Sequence, residues 1–140
     1  NGKGKGKGNG KEMVKGGEET VTTYVPAPAF HSVALGFQIG KDNQATQAQT
    51  GANHEAVILQ AGIGNISSQY QSSAENSALA VQGGFNNTVT QNQYGSYGEV
   101  AAMQIGAKNT VTQTQELTSY KDHAAAVQVG FKNTATQTQK

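Results

Sequence analysis

The chain has 140 residues, enough for one domain, but only 35% of them are hydrophobic, which is thin for an ordinary globular core. It contains no cysteine, which excludes a disulfide framework and a thiolate metal site, and no apolar run approaches the ~20 residues of a membrane-spanning helix. The formal net charge is +1 and every basic side chain is lysine, with no basic face for nucleic acid in residues 32–140.

The N-terminal residues are predicted to form a tail and a linker. Residues 1–17 are rich in glycine and lysine, which predicts a flexible tail, and their lysines are a candidate site for nucleic acid or acidic polysaccharide. Residues 18–31 are predicted to be a linker with one short strand over residues 20–25, ended by Pro26 and Pro28. The first residue, Asn1, fits a secreted protein without its signal peptide, although a fragment would look the same.

Residues 32–140 repeat one pattern five times, in predicted coils 32–53, 54–75, 76–97, 98–121 and 122–140. Each copy reads Gln-x-Gly-x-x-Asn and closes with Gln-x-Gln; three steps are 22 residues and the last is 24. A fixed period near 20 residues is typical of a solenoid. The candidate ladder and self-assembly residues are Gln38, Gly40, Asn43, Gln47, Gln49, Gln60, Gly62, Asn65, Gln69, Gln71, Gln82, Gly84, Asn87, Gln91, Gln93, Gln104, Gly106, Asn109, Gln113, Gln115, Gln128, Gly130, Asn133, Gln137 and Gln139.

Each repeat holds two strand-length segments separated by turn residues, for example residues 56–61 and 65–71. Glycine, asparagine and threonine recur inside every copy and are poor helix formers. The predicted fold is therefore an all-β solenoid of strand–turn–strand coils with two facing parallel sheets. The two extra residues of the longer step fall in residues 116–122, where a loop accepts an insertion.

Stacked coils would place identical amides about 4.7–4.9 Å apart, so that each donates to one neighbour and accepts from the other. The amide period predicts that Ala56, Ile58 and Gln60 point inward, opposite Ser67 and Gln69. The outward residues would then form apolar columns, such as the one through Leu59. Hydrophobicity alone supports the reverse, with that column as the core.

The last repeat reaches Gln139 with no capping element after it. An uncovered strand edge is a template for another chain. The expected state is a homopolymer, a cross-β amyloid fibre.

The pattern resembles that of the curlins, bacterial functional-amyloid subunits, whose repeat is written Ser-x5-Gln-x-Gly-x2-Asn-x-Ala-x3-Gln. The first copy matches each element, and later copies keep the glutamine, glycine, asparagine and closing glutamine. The Ser position, however, becomes His54, Asn76, Gly98 and Asp122. The matching first-copy residues are Ser32, Gln38, Gly40, Asn43, Ala45 and Gln49.

The resemblance implies a secreted, extracellular protein on the surface of a Gram-negative bacterium. It implies fibres that serve biofilm matrix and adhesion, export through an outer-membrane secretion channel, and a nucleator subunit as partner. The regular repeats are more similar to a major subunit, and a minor, nucleating subunit is the alternative.

The sequence also bears on ice binding and on catalysis. Thr-x-Thr pairs in the last three copies, beginning at Thr88, Thr110 and Thr134, resemble ice-binding ladders of insect antifreeze proteins. An enzyme is not expected, because no residue set has catalytic or metal-ligand spacing, and no cofactor is implied. The histidines share no repeat position and are expected to be solvent-facing turn residues: His31, His54 and His123.

Overall fold

The computed structural model describes residues 9–15, 20–24, 29–116 and 120–140. Throughout these ranges every regular element is a strand, and the strands stack into a solenoid of parallel sheets. The predicted all-β solenoid is confirmed. In chain order the strands are β1 (Asn9–Lys15), β2 (Thr20–Tyr24), β3 (Ala29–Phe30), β4 (Val33–Lys41), β5 (Gln44–Gln49), β6 (Gly51–Ala52), β7 (Glu55–Ile63), β8 (Ile66–Gln71), β9 (Ser77–Phe85), β10 (Thr88–Gln93), β11 (Glu99–Ala107), β12 (Thr110–Gln115), β13 (His123–Phe131) and β14 (Thr134–Gln139).

Two six-stranded sheets face each other, and each coil contributes one strand to each of them. Sheet A has the order β1-β4-β7-β9-β11-β13, and sheet B has the order β2-β5-β8-β10-β12-β14. A third, two-stranded sheet pairs β3 with β6. All pairings are parallel, as expected for successive turns of one winding direction.

The register places equivalent repeat residues side by side. Gln38 pairs with Gln60, and Gln60 pairs with Gln82. A slip of one residue would turn every side chain to the other face, so this in-phase register keeps the inward set inward along the whole stack. Side chains at one repeat position therefore form a column parallel to the solenoid axis.

The interior between the sheets is narrow and filled by small apolar residues and amides. Inward positions of sheet A are fully buried in the middle coils, as at Ala56, Ile58 and Ala80, while the neighbouring Leu59 is 37% exposed. The amide period therefore predicts the facing correctly, and the reversed facing is wrong. The main apolar cluster joins both sheets through Ala45, Ile58, Ala80, Val89, Ala102, Val111 and Ala126.

An additional N-terminal coil stacks on the first repeat. Strand β1 pairs with β4 in sheet A, and β2 pairs with β5 in sheet B. Strand β1 lies within residues 1–17, where a flexible tail is predicted, and β2 is the short strand expected in the linker. The open edges of β4 and β5 offer unpaired backbone groups, which accept a strand of almost any sequence. Residues 1–8, 16–19 and 25–28, which hold the rest of the predicted tail and linker, lie outside the described residues.

The longer final step leaves the stack in register. Glu99 pairs with His123 and Gln115 pairs with Gln139, so β13 and β14 of the fifth coil stack directly on β11 and β12 of the fourth. Residues 117–119, which belong to the predicted insertion, lie outside the described residues. No helix in the described ranges is long and apolar enough to cross a bilayer.

Candidate assembly site: the amide ladders

The first glutamine of each repeat forms a continuous buried ladder. Its Nε2 donates to the Oε1 one coil later, as from Gln60 to Gln82 at 2.7 Å and from Gln82 to Gln104 at 3.0 Å. The same Nε2 also donates across the interior, from Gln60 to the carbonyl of Gln44 in sheet B. The column comprises Gln38, Gln60, Gln82, Gln104 and Gln128.

The closing glutamines form two further ladders on sheet B. Gln69 donates to Gln91 Oε1 at 2.8 Å and to the carbonyl of Val57 in sheet A at 3.1 Å. These bonds tie the two sheets together within a coil and also tie each coil to the next. The two columns are Gln47, Gln69, Gln91, Gln113 and Gln137, and Gln49, Gln71, Gln93, Gln115 and Gln139.

An asparagine ladder holds the turn between the two strands of each coil. Asn87 Nδ2 donates to the carbonyls of Gly83 and Gly106, each at 3.1 Å, and Asn87 Oδ1 accepts the backbone N–H of Asn109. One side chain thus satisfies backbone groups of its own coil and of the next. The members of this ladder are Asn43, Asn65, Asn87, Asn109 and Asn133.

The repeat glycine lets these turns stack closely. Gly84 has a φ of +111°, and a Cβ on it would lie 2.0 Å from the carbonyl oxygen of Gly106. Only glycine tolerates both the backbone angle and the approach. The same geometry recurs at Gly40, Gly62 and Gly106, while Gly130, in the last coil, has the same kind of φ without the close backbone neighbour.

All three glutamine ladders point in one direction. Every Oε1 faces the preceding coil and every Nε2 faces the following coil. The two ends of the glutamine ladders are therefore chemically different: the first repeat presents acceptors and the last repeat presents donors. Sequence predicts the ladders but not this direction, because an amide can be turned either way until its neighbours are known.

A further polar column lies at the other turn and contains His54. His54 is 1% exposed; its Nε2 donates to the carbonyl of Thr50 at 2.8 Å, and its Nδ1 accepts the N–H of Asn76. The expectation of a solvent-facing histidine is wrong here, although His31 and His123 are exposed. His54 occupies the Ser position of the repeat, and that position points inward in the column Ser32, His54, Asn76 and Gly98.

Burial lowers the pKa of His54 below its ordinary value of 6.5, and the hydrogen bond to Thr50 offsets this only in part. The unfolded chain therefore binds the proton more readily than the folded chain does. The contribution of neutral His54 to the free energy of unfolding is therefore fully present above the unfolded pKa. It decreases as the pH falls from about 6.5 toward the lowered folded pKa.

We expect the denaturant midpoint of the monomer to fall between pH 7.5 and pH 5.5, and His54→Asn to remove most of that fall. Asparagine already stands at the equivalent position 76, where it makes the corresponding bonds to Ser72 and Gly98. Circular dichroism at both pH values measures the midpoints. Equal pH dependence in the two proteins would show that His54 does not carry the effect.

The outer faces of the two sheets differ in chemistry. Sheet A presents apolar columns, with Leu79 40% and Ile105 50% exposed. Sheet B presents hydroxyls, and Thr88 pairs with Thr110 and Thr110 with Thr134 in adjacent strands. In the first two coils Gln44 and Ile66 occupy this column, so the threonine array covers only part of the face.

Within the described part of the chain, no three acidic or histidine side chains approach one another closely enough to hold a metal ion. The chain matches no known protein-family model and no curated protein.

Proposed function

We propose that this protein is a structural subunit that stacks end to end with copies of itself, so that one solenoid continues through many molecules. The observation that carries the proposal is the complementarity of its two ends. In the first repeat, glutamine oxygens accept no hydrogen bond from a preceding coil. In the last repeat, Gln128 and Gln137 lack the next-coil glutamine to which inner members of their ladders donate.

The acceptor end lies on β4 and β5. The Oε1 atoms of Gln38, Gln47 and Gln49 are buried and receive no hydrogen bond from any described residue. Leaving such a group buried and unpaired costs roughly 1–3 kcal/mol. An incoming coil that carries glutamine in register would supply all three donors.

The donor end lies on β13 and β14, the outermost strands of the described stack at this end. Gln128 accepts from Gln104, but its own Nε2 makes no bond to a described residue. Gln137 donates only to the carbonyl of Ala125, whereas inner members of its ladder donate twice. Gln128 and Gln137 lie in the same columns as Gln38 and Gln47, and their amides point in the direction that would supply those acceptors.

The N-terminal coil occupies the acceptor end in the monomer, but it does not complete the ladders. Val14 stands in register with Gln38, and Thr23 stands in register with Gln47; neither carries an amide. We infer that the last coil of another copy replaces β1 and β2 during growth, since it restores the missing donors. The fibre then has one polarity.

The finer identity of the fibre is proposed from the curlin resemblance. Extracellular, biofilm-associated fibres of a Gram-negative surface are the assembly that the repeat pattern favours, with the chain as the major subunit. An outer-membrane channel and a nucleator are the partners proposed on the same basis.

Ice binding is the second candidate, and the paired threonines on β10, β12 and β14 support it. The array spans three coils, and the ladder ends are left without a role in that function. Thermal hysteresis from a chain that remains monomeric would favour ice binding over assembly.

The variant Val14→Gln/Thr23→Gln tests growth at the acceptor end. Glutamine at these positions supplies donors to Gln38 and Gln47, so the N-terminal coil is held more tightly. Each hydrogen bond contributes about 1 kcal/mol and each 1.4 kcal/mol is a factor of ten, so we expect seeded elongation to slow at least about fivefold. Light scattering from seeded monomer measures the rate.

The matched control is Met13→Gln/Thr22→Gln, which adds the same groups opposite Phe37 and Thr46, outside the ladders. We expect the control to elongate like the unmodified chain. Faster elongation of the ladder variant would show that the next copy stacks on a retained N-terminal coil. Absence of fibres from the unmodified chain would overturn the proposed function itself.

A further inference from the structure

The outer face of sheet A is a broad apolar surface. Its three central outward columns, which begin at Leu35, Phe37 and Ile39, contain no charged or hydrogen-bonding side chain in any of the five repeats. Their side chains are exposed or half-buried; Met103 in the fourth coil is 41% exposed, and Phe37 and Val81 are half-buried. This set of columns is called the apolar face below.

The apolar face of one copy is as large as the largest apolar patch that a soluble monomer ordinarily exposes. Five coils at about 4.8 Å and three columns at about 6.8 Å give a flat area of roughly 500 Å². The largest such patch on a typical monomer is about 300–600 Å² and often marks an interaction site. In a fibre of the proposed kind, every added copy extends the same stripe without covering it.

We propose that the apolar face pairs with the apolar face of a second solenoid, so that the fibre consists of two protofilaments joined through sheet A. This rests on the proposed end-to-end assembly, which brings many such faces into one continuous stripe. Sheet B is the less favourable contact, because its outward face is mostly threonine, serine and amide side chains, with Ile66 and Tyr70 as its exposed large hydrophobic residues. Two flat sheets would pack about 10 Å apart.

Charges at the two margins of the apolar face select one orientation of the pair. The margin where sheet A strands begin, with its adjoining turns, carries five acidic residues and two lysines among the described residues: Glu55, Glu75, Glu99, Glu116, Asp122, Lys121 and Lys140. The margin where these strands end carries Lys41, Lys108 and Lys132 against Asp42. The cross-section is therefore acidic on one side and basic on the other.

Two solenoids with their axes in the same direction and their strands antiparallel would place the acidic margin of one against the basic margin of the other. Solenoids with opposed axes would place like margins together, and like charges facing each other disfavour that arrangement. Lys108 and Lys132 lie 5.7 and 5.2 Å from the ring centre of Phe131, at the edge of the apolar face. They are placed to meet an acidic margin across the contact.

The apolar contact is tested by Met103→Lys, with Thr112→Lys as the matched control in the same coil but on sheet B. Lysine on the apolar face would have to lose its hydration, whereas lysine on sheet B would not. Mass per unit length from scanning transmission electron microscopy gives the number of protofilaments. We expect the unmodified chain and Thr112→Lys to give twice the value of Met103→Lys.

The orientation is tested by charge reversal. Glu55→Lys/Glu99→Lys is expected to halve the mass per unit length, and adding Lys108→Glu/Lys132→Glu to the same chain is expected to restore it. Single protofilaments from the unmodified chain, or paired ones from Met103→Lys, would overturn the pairing and leave end-to-end assembly intact. Failure of the combined variant to regain pairing would overturn the proposed orientation. Absence of any fibre would overturn both proposals.

Discussion

Gly84→Ala is expected to prevent the central coils from stacking, whereas Gly83→Ala, one residue away, is expected to have little effect. At position 84 the φ of +111° is strained for alanine, and the new Cβ would lie 2.0 Å from the carbonyl oxygen of Gly106. That neighbour is backbone held by the sheet, so it cannot move aside. We expect a loss of about 3 kcal/mol or more in the free energy of unfolding, and no fibre growth.

Gly83 is the matched control because a Cβ there meets nothing within 4 Å. Replacing glycine by alanine at an unstrained position leaves stability unchanged or raises it by about 0.4–1 kcal/mol. Denaturant unfolding of the monomers, followed by seeded elongation, compares the two variants. Similar behaviour of both would contradict the close stacking of the turns.

Asn87→Ala is expected to destabilise the chain by about 2–5 kcal/mol and to block elongation, while Asn92→Ala changes the free energy of unfolding by less than about 0.5 kcal/mol. Asn87 is fully buried, and its removal leaves the Gly106 carbonyl and the Asn109 N–H without their partner. Each buried group left unpaired costs roughly 1–3 kcal/mol.

Asn92 provides the comparison because it lies on the outer face of β10, where water replaces any lost contact. The same side-chain amide is removed in both variants. The difference between their losses in free energy of unfolding therefore reports the effect of burying that amide and its hydrogen bonds. Chemical denaturation monitored by circular dichroism measures it. If the two free energies fall together, the asparagine ladder is not what holds the turns.

Much of this fold can be predicted from the sequence because the repeat is strict. The period indicates a solenoid, and the small residues in phase with Gln60 indicate which side of the first strand faces inward. The alternation alone could not decide that facing, since Leu59 is more hydrophobic than Ala56. The amides decide it, because buried glutamines need hydrogen-bond partners and identical glutamines stacked in a column can supply them to one another.

Other features depend on contacts that a linear pattern does not contain. Strand β1 lies in a segment whose composition is typical of a tail, and its place in sheet A comes from the open backbone edge of β4. His54 is buried because its coil neighbours place that position inward. The common direction of the glutamine amides, which makes the two ends of their ladders complementary, exists only once the coils are stacked.

Fibre X-ray diffraction on the assembled chain tests the central claim most directly. Solenoids that stack end to end run their hydrogen bonds along the fibre, so we predict a meridional reflection near 4.7–4.8 Å and an equatorial one near 10 Å. A chain that stays monomeric at micromolar concentration, or a fibre without the meridional reflection, would contradict stacking through the ladder ends.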